Sequence, residues 1–242
     1  MKHPPRRTFN TALAGALAGA AGLPAFAADD AANYPSRPIT IVVGFAPGGP
    51  TDIVARVVAT KLSQAWGQPV VVDNKPGAGS NIGTEQVVRA APDGYTLLVE
   101  TIANATNMSV YKNLKYDTKR DLVPIVQFMA APSVLVVNPK LPAKNLKELI
   151  ALAKAEPGKL NYASTGVGGS PHLAGEMLKM RAGIDIVHIP YKGAGPALND
   201  LLAGNVSMGF MTALGLVPYL ESGRLRVIAI ASPKRSPEMP DV

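Results

Sequence analysis

Apolar, β-branched runs alternate with segments of helical periodicity along most of the chain. Residues 39–45 form a continuous apolar run, which is typical of a strand buried on both faces of a parallel sheet. From Ile53 to Leu62 the apolar residues instead recur at helical spacing. Because this alternation continues through residues 69–99 and resumes from residue 134, the pattern predicts an α/β fold with parallel strands.

The pattern also gives approximate bounds for the elements. The predicted strands are 39–45, 69–72, 95–99, 122–128, 134–138, 160–163, 186–189, 206–210 and 225–231. Helices are predicted to start near residues 52, 81, 145, 170, 196 and 214, the second of them ending at about residue 91. Asn145 and Glu148 resemble a capping box, and Gly204 is placed to end a helix. Residues 102–108 are small and polar, which predicts a loop.

Three glycine-rich loops join predicted strands to predicted helices: the first loop is 45–52, the second 77–81 and the third 165–170. Backbone N–H groups at such turns lie beside the positive end of a helix dipole, where an oxyanion can bind. By itself the second loop is typical of an ordinary tight turn. Ligands in open α/β sheets bind where the loops after parallel strands gather, so three such loops predict an anion site.

Cap residues are predicted for each helix that follows a loop. Thr51 or Asp52 is placed to cap the first helix, and Ser80 or Asn81 the second. Ser170, followed by a proline, is placed to cap the third.

Composition excludes several kinds of site. The chain has no cysteine, which excludes disulfides, thiolate catalysis and Cys-ligated metal. The histidines lie at positions 3, 172 and 188, a spacing that predicts no metal cluster. The first loop lacks the Lys-Ser/Thr ending of a P-loop, and the chain has neither a GxGxxG at this place nor a G-x-S-x-G nucleophile elbow. No cofactor is therefore expected.

The N-terminus predicts export. Lys2, Arg6 and Arg7 precede a short apolar run. Ala25-Phe-Ala27 matches the pattern of a signal-peptide cleavage site, so the N-terminus is predicted to be a secretory signal peptide. The paired arginines suggest the twin-arginine route, although Asn10 stands where that motif prefers leucine, so general secretion stays open. An N-terminal membrane anchor is the alternative. Cleavage after Ala27 would lower the formal net charge from +7 to +4, and no basic patch suggests nucleic acid.

Two residues carry alternative interpretations. Asp52 is either a cap only or a cap that also binds a ligand amine or an ordered water. His172 either donates to an anion or is structural. An enzyme that uses Ser170 and His172 is the alternative function, but their closeness at a helix start does not favour a catalytic pair. A purely interacting domain is a third hypothesis.

The motifs taken together resemble one family. They are Pro35-Ser-Arg-Pro-Ile39, Phe45-Ala-Pro-Gly-Gly-Pro-Thr-Asp52, Asn74-Lys-Pro-Gly-Ala-Gly79, Pro92-Asp-Gly-Tyr-Thr-Leu-Leu98, Thr165-Gly-Val-Gly-Gly-Ser-Pro-His-Leu173 and Val187-His-Ile-Pro-Tyr-Lys-Gly193. This combination resembles the Bug receptors, the periplasmic substrate-binding proteins of tripartite tricarboxylate transporters. The resemblance covers almost all of the chain after the predicted signal peptide.

The resemblance implies a type II periplasmic-binding-protein fold, with two α/β lobes, a hinge and a ligand cleft between the lobes. The implied ranges are a signal peptide over 1–27, a first lobe over 35–127, a second lobe over 128–230 and the start of a return to the first lobe over 231–242. The family's final segment is missing after residue 242, so the sequence is expected to be a fragment. The implied function is capture of a small carboxylate, such as a di- or tricarboxylate, without catalysis. The implied partners are inner-membrane transporter subunits or a sensor, with the receptor a monomer in the periplasm.

Ligand contacts are carried over position by position. They fall on Phe45, Pro47, Gly48, Gly49, Thr51, Asp52, Ala78, Gly79, Ser80, Asn81, Asn104, Thr106, Thr165, Gly166, Ser170 and His172, with Tyr191 and Lys192 near the cleft. Met211 stands where the family commonly has Asp, which argues against a ligand contact there.

Overall fold

The strands of the described residues form two separate β-sheets, one of three strands and one of five. The computed structural model describes residues 33–236, 239 and 242, and Arg37–Val242 forms one compact unit. The predicted signal peptide lies outside the described residues.

The three-stranded sheet is parallel throughout, as the apolar runs predicted. Its strands are β1 (Ile39–Val43), β2 (Val70–Asn74) and β3 (Thr96–Val99), in the order β2-β1-β3. The helices that connect them are α1 (Pro50–Trp66), a short 3₁₀ turn (Ala78–Ser80) and α2 (Asn81–Val88). Helices α3 (Ile102–Val110) and α4 (Thr118–Asp121) follow β3.

The five-stranded sheet is mixed, which the pattern alone did not predict. Its strands are β4 (Ser133–Val137), β5 (Asn161–Ser164), β6 (Val187–Pro190), β7 (Met208–Thr212) and β8 (Arg226–Ile230), in the order β6-β5-β7-β4-β8. Strand β4 is antiparallel to both of its neighbours, whereas β5 is parallel to β6 and β7. The helices of this part are α5 (Leu146–Ala155), α6 (Ser170–Ala182), α7 (Ala194–Ala203) and α8 (Val217–Glu221).

Helices cover the five-stranded sheet on both faces. Successive side chains of a strand point to opposite faces, and β4 shows this directly: Leu135 and Val137 belong to one apolar cluster, Val134 and Val136 to another. The first cluster includes residues of α5 and α6, and the second includes residues of α7 and α8. A third cluster holds α1 against β1. Burial on both faces explains why β4 is apolar at four consecutive positions.

The predicted loop over 102–108 is helix α3. The Thr101 side chain accepts from the backbone N–H of Ala103 at 3.3 Å, and the Asn104 side chain accepts from the backbone N–H of Thr101 at 3.0 Å. This reciprocal capping box uses Asn where Glu or Gln is usual, so the polar residues that suggested a loop in fact start a helix.

The predicted strand over 122–128 has no regular structure, and within residues 33–236 no strand pairs with it. Val123 is 86% exposed and Ile125 is 77% exposed. An apolar run becomes a strand only where a neighbouring backbone accepts and donates its hydrogen bonds, and the described residues supply none here.

The predicted caps at Thr51, Asp52 and Ser170 are wrong, because both helices begin earlier than expected. Gly49 and Gly169 are the N-caps, with prolines in the first helical positions and no side-chain cap bond.

Other predicted ends are confirmed. Asn145 accepts from the backbone N–H of Glu148 at 2.9 Å, and Gly204 ends α7 in the left-handed conformation. Helix α2 ends at Val88, before the predicted residue 91.

Among the helices of the described residues, none is both long enough and apolar enough to span a membrane.

Candidate functional site

A cavity of about 190 Å³ lies among the loops that follow β1, β2, β5 and β6, at the carboxyl ends of these strands. It is lined by Gly44, Phe45, Gly77, Ala78, Gly79, Ser80, Tyr111, Thr165, Gly166, Val167, Pro190, Tyr191 and Lys192. Pockets for drug-sized ligands are typically about 300 Å³ or larger, so this cavity suits a smaller molecule.

The second loop enters the cavity through a left-handed turn. Ala78, Gly79 and Ser80 have φ values of +47°, +62° and +80°, a region that residues with a Cβ rarely adopt. A Cβ on Gly79 would lie 2.5 Å from the carbonyl oxygen of Val167, so only glycine allows the second and third loops to approach this closely. The Asn107 side-chain amide donates to the carbonyl of Gly79 at 2.8 Å and holds the turn in place.

A buried polar cluster supports the second loop from α2 and α3. The side-chain oxygen of Asn81 accepts from Asn107 at 2.8 Å and from the Tyr116 hydroxyl at 2.6 Å. Asn104 donates to the Thr84 hydroxyl at 2.7 Å. Asn81 and Asn104 are thus structural supports of the loop and do not line the cavity.

Three buried polar atoms around this loop have no hydrogen-bond partner among the described residues: Ser80 Oγ, Asn81 Nδ2 and Asn107 Oδ1. Buried polar atoms are normally paired, so such atoms mark places where a ligand or water completes the hydrogen bonding. Of the three residues, Ser80 lines the cavity.

Side chains from β5, β6 and α6 hold the third loop. The backbone N–H of Gly166 donates to Ser164 Oγ at 3.1 Å, and Ser164 Oγ is hydrogen-bonded to His188 Nε2 at 2.6 Å. The N–H of Gly168 donates to His172 Nδ1 at 3.3 Å. Burial lowers the pKa of His188 to about 4, and the nearby His172 acts in the same direction. His188 is therefore neutral near pH 7, the state in which each ring nitrogen has one fixed hydrogen-bonding role.

Ser170 and His172 do not form the pair that an enzyme would need. Ser170 is exposed, and His172 accepts from the Gly168 backbone instead. The Ser–His pair that does form, Ser164 with His188, is not part of the cavity lining, and Ser164 is 1% exposed. Among the described residues, no group of three His, Asp or Glu side chains could hold a metal ion.

The segment after β6 contributes Tyr191 and Lys192. The Tyr191 hydroxyl donates to Asp200 Oδ2 at 2.6 Å, and burial together with this bond raises the pKa of Tyr191 to about 12. Lys192 has an exposed side chain and is the one cation that the described residues contribute to the cavity lining. Its carbonyl accepts from the backbone N–H of Ala46 at 2.8 Å, which ties this segment to the first loop.

The first loop contributes only Phe45 to the lining. The carboxylate of Asp52 accepts from the N–H of Gly48 at 3.0 Å and from Arg56 Nε at 3.1 Å, and it forms an ion pair with Arg56 at 2.9 Å. Burial pushes the pKa of Asp52 upward, but the bonds from Arg56 and Gly48 outweigh it, so the pKa lies below its ordinary value. Asp52 is thereby occupied within its own loop and helix.

The rest of the first loop packs beside α7. A Cβ on Gly195 would lie 2.6 Å from the carbonyl oxygen of Pro47, so backbone meets backbone there. Gly48 lines a second cavity of about 30 Å³, which Met211 also lines. That space is large enough to hold a water molecule.

The structure brings eight of the expected ligand contacts into the cavity lining: Phe45, Ala78, Gly79, Ser80, Thr165, Gly166, Tyr191 and Lys192. It leaves ten outside the lining: Pro47, Gly48, Gly49, Thr51, Asp52, Asn81, Asn104, Thr106, Ser170 and His172. Contact with a ligand stays a prediction for all of them. Sequence reasoning missed Gly44, Gly77, Val167, Pro190 and Tyr111. The first four adjoin predicted residues, but no local signal marked Tyr111, which follows the unpredicted α3.

Comparison with known proteins identifies relatives over most of the chain. Residues 54–242 match the family described as tripartite tricarboxylate transporter family receptor. Protein BugT of Bordetella pertussis is 42% identical over 233 residues, which are 96% of this chain and 71% of BugT. A protein from the tcbD–tcbE intergenic region of a Pseudomonas species is 40% identical over 209 residues. This chain spans 62% of that relative's length, with 86% of its own residues matched.

Solved structures resemble the fold. The periplasmic binding protein BugD is 39% identical with a TM-score of 0.79, over 86% of this chain and 70% of that one. Rpa4515 of R. palustris, solved with adipate, is 36% identical with a TM-score of 0.83 over the same shares of the two chains. MatC of Rhodopseudomonas palustris, solved with bound malate, is 32% identical with a TM-score of 0.82, over 86% and 71% of the two chains. The two sheets and their helices therefore form an α/β periplasmic-binding-protein fold.

Proposed function

Because the chain belongs to the family of tripartite tricarboxylate transporter receptors, we propose that it is a periplasmic solute receptor that captures a small organic carboxylate. The observation that carries this proposal is the chemistry of the cavity lining. It combines glycine-rich backbone, the hydroxyl groups of Ser80 and Thr165 and the cation Lys192, and it contains no Asp or Glu. Hydrogen-bond donors and one positive charge suit an anion. The adipate and malate bound to Rpa4515 and MatC support the same class of ligand.

We propose residues 35–127 and 128–230 as the two lobes, with residues 231–242 starting a return to the first lobe. The separation of the strands into two sheets supports this division, because β1–β3 fall in the first range and β4–β8 in the second. Two hydrogen bonds beside the cavity connect the proposed lobes. Thr106 Oγ1 donates to the carbonyl of Gly168 at 2.5 Å, and the N–H of Ala46 donates to the carbonyl of Lys192 at 2.8 Å. Each bond joins a residue of one proposed lobe to a residue of the other. Closure of the lobes around a carboxylate removes water and strengthens the charged hydrogen bonds.

The remaining parts of the proposal concern the cell. The receptor is exported by its signal peptide, through the twin-arginine or the general route, and acts in the periplasm as a monomer. It delivers its ligand to inner-membrane transporter subunits or to a sensor, and it has no enzymatic activity of its own. The exposed, unpaired position of Ser170 relative to His172 gives the hydrolase alternative no support.

Isothermal titration calorimetry of the purified protein with succinate, malate, adipate and citrate tests the proposal. We expect saturable 1:1 binding of at least one of these acids. Lys192→Met should weaken that binding by about fivefold at low salt, because the ammonium is exposed and its attraction is screened. Lys140→Met, an exposed lysine outside the lining, is the matched control and should change nothing. Absence of binding across the whole panel by folded protein would contradict the proposal.

A further inference from the structure

We infer that the cavity accepts organic acids that lack an ammonium group and discriminates against amino acids of the same length. This inference rests on the proposed function and narrows its ligand class. It follows from the hydrogen-bonding capacity that the lining residues still have available and from the positions of the nearby carboxylates.

Most carbonyl groups of the lining already accept a hydrogen bond from the protein. In the second loop, Gly77 accepts from the N–H of Ser80 at 3.0 Å, and Gly79 accepts from Asn107 at 2.8 Å. Six further lining carbonyls accept from protein donors: those of Phe45, Ala78, Ser80, Gly166, Val167 and Lys192. Each of these eight oxygens has at most one lone pair left for the N–H groups of a ligand ammonium.

Several backbone N–H donors of the lining, by contrast, have no partner among the described residues. The hydrogen bonds of the described residues engage none of the backbone N–H groups of Gly77, Ala78 and Val167. Ser80 Oγ is buried without a partner, and Lys192 adds an ammonium. A carboxylate carries only acceptors, so it complements this surplus of donors, whereas an ammonium carries only donors and competes with it.

Among the described residues, no carboxylate is placed to neutralise a bound ammonium. None of the lining residues is acidic, and Asp52 is paired with Arg56 away from the lining. Asp200 touches the lining through Tyr191, but its two oxygens accept from Tyr191 and from Asn205, at 2.6 Å and 3.0 Å. The sequence hypothesis that Asp52 takes a ligand amine is therefore not supported by its position.

An ammonium placed in this cavity would lose hydration without gaining a negatively charged partner among the described residues. Burial of an unpaired charge is costly, and sites reject analogues most strongly when polar groups are left unpaired. Leaving even one such group unpaired lowers the affinity by about tenfold or more. We therefore expect L-aspartate to bind at least about tenfold more weakly than succinate, and L-glutamate likewise relative to glutarate.

Calorimetric titration with these two matched pairs at pH 7.5 tests the inference. Each pair keeps the carbon chain and both carboxylates and differs by the ammonium alone. Binding of the amino acid equal to or tighter than that of its partner would overturn the inference and leave the carboxylate receptor standing. If none of the four binds, and adipate, malate and citrate also fail, the proposed function itself falls.

A variant tests the cause of the discrimination. Thr165→Asp adds a carboxylate to the lining and should reduce the succinate-to-aspartate preference by about tenfold. Thr60→Asp makes the same substitution at an exposed position of α1 outside the lining, and it should leave the preference unchanged. An unchanged preference in Thr165→Asp with a native melting temperature would contradict the inference, as would an equal change in both variants.

Discussion

The first and second loops both join a parallel strand to a helix, yet they serve the cavity very differently. The first loop has the stronger sequence signal, with Pro47-Gly-Gly-Pro50 beside a helix of 17 residues, and it contributes one lining residue. The second loop looks like an ordinary turn and contributes four. The N–H of Gly48 is already engaged by Asp52, whereas the left-handed turn carries donors that remain unengaged. A donor-rich motif binds a ligand only where its donors are not already used by the protein.

One pair of glycine substitutions, one in each loop, should give the largest difference in succinate affinity. Gly79→Ala places a Cβ 2.5 Å from the carbonyl oxygen of Val167, whereas Gly48→Ala meets no atom within 4 Å. Both residues have positive φ, +62° and +82°, so both variants carry backbone strain of about 1 kcal/mol. We expect Gly79→Ala to weaken succinate binding by about tenfold to a hundredfold through the clash, and Gly48→Ala to leave it within about twofold.

Calorimetry measures the affinities of this pair, and urea unfolding measures the strain. Equal losses of affinity in the two variants would show that both loops contribute alike to binding and would contradict the contrast between the first and second loops.

The next effect concerns stability at the first loop. Asp52→Asn should lower the free energy of unfolding at pH 7 by about 1 kcal/mol, because it weakens the bonds to Arg56 and Gly48, with Arg56 itself over half exposed. The folded pKa of Asp52 lies below the ordinary 3.8, so its contribution is full above that pH. The contribution is lost as the pH falls through the folded value, and the difference from wild type should shrink at acidic pH.

Urea titrations at pH 7 and pH 3 check this expectation, with Asp185→Asn, an exposed carboxylate, as control. A large loss of succinate affinity in Asp52→Asn would place Asp52 in the binding machinery and would break the contrast between the loops.

The smallest effects on succinate affinity are expected at α3, the helix beside the second loop. Thr106→Val removes the hydroxyl that donates to the carbonyl of Gly168 at 2.5 Å and should weaken succinate binding by about fivefold. Tyr111→Phe removes a bond of 3.4 Å to the carbonyl of Val167 and should change affinity by less than about twofold. Titrations of both variants check this order. The reverse order would mean that Tyr111 contacts the ligand directly through its hydroxyl.

The order of strands and helices was largely predictable, because buried strands such as β1 and β4 leave continuous β-branched runs in the sequence. The site was predictable to the level of loops: residues of the second and third loops line the cavity as expected. The family resemblance is confirmed, and so is the periplasmic-binding-protein fold that it implies.

The misses have physical causes. Helix α3 consists mainly of small and polar residues and starts with a capping box built on Asn104, so composition alone suggested a loop. The left-handed turn places Ala78 and Ser80 at positive φ, and neither residue type signals that conformation. Asp52 lies outside the cavity lining, and its carboxylate forms an ion pair with Arg56, one helical turn away. The sequence did not indicate that pairing.

The bond from the N–H of Ala46 to the carbonyl of Lys192 joins two main-chain atoms. Every residue type except proline can donate it from position 46, but a Cβ on Gly193 would lie 2.9 Å from the Ala46 nitrogen, so the bond requires glycine at position 193. Side chains at Thr165 and Tyr191 are free of that constraint and can change during evolution without loss of the bond. The backbone contact between these two segments and the side chains that line the cavity can therefore vary independently of each other.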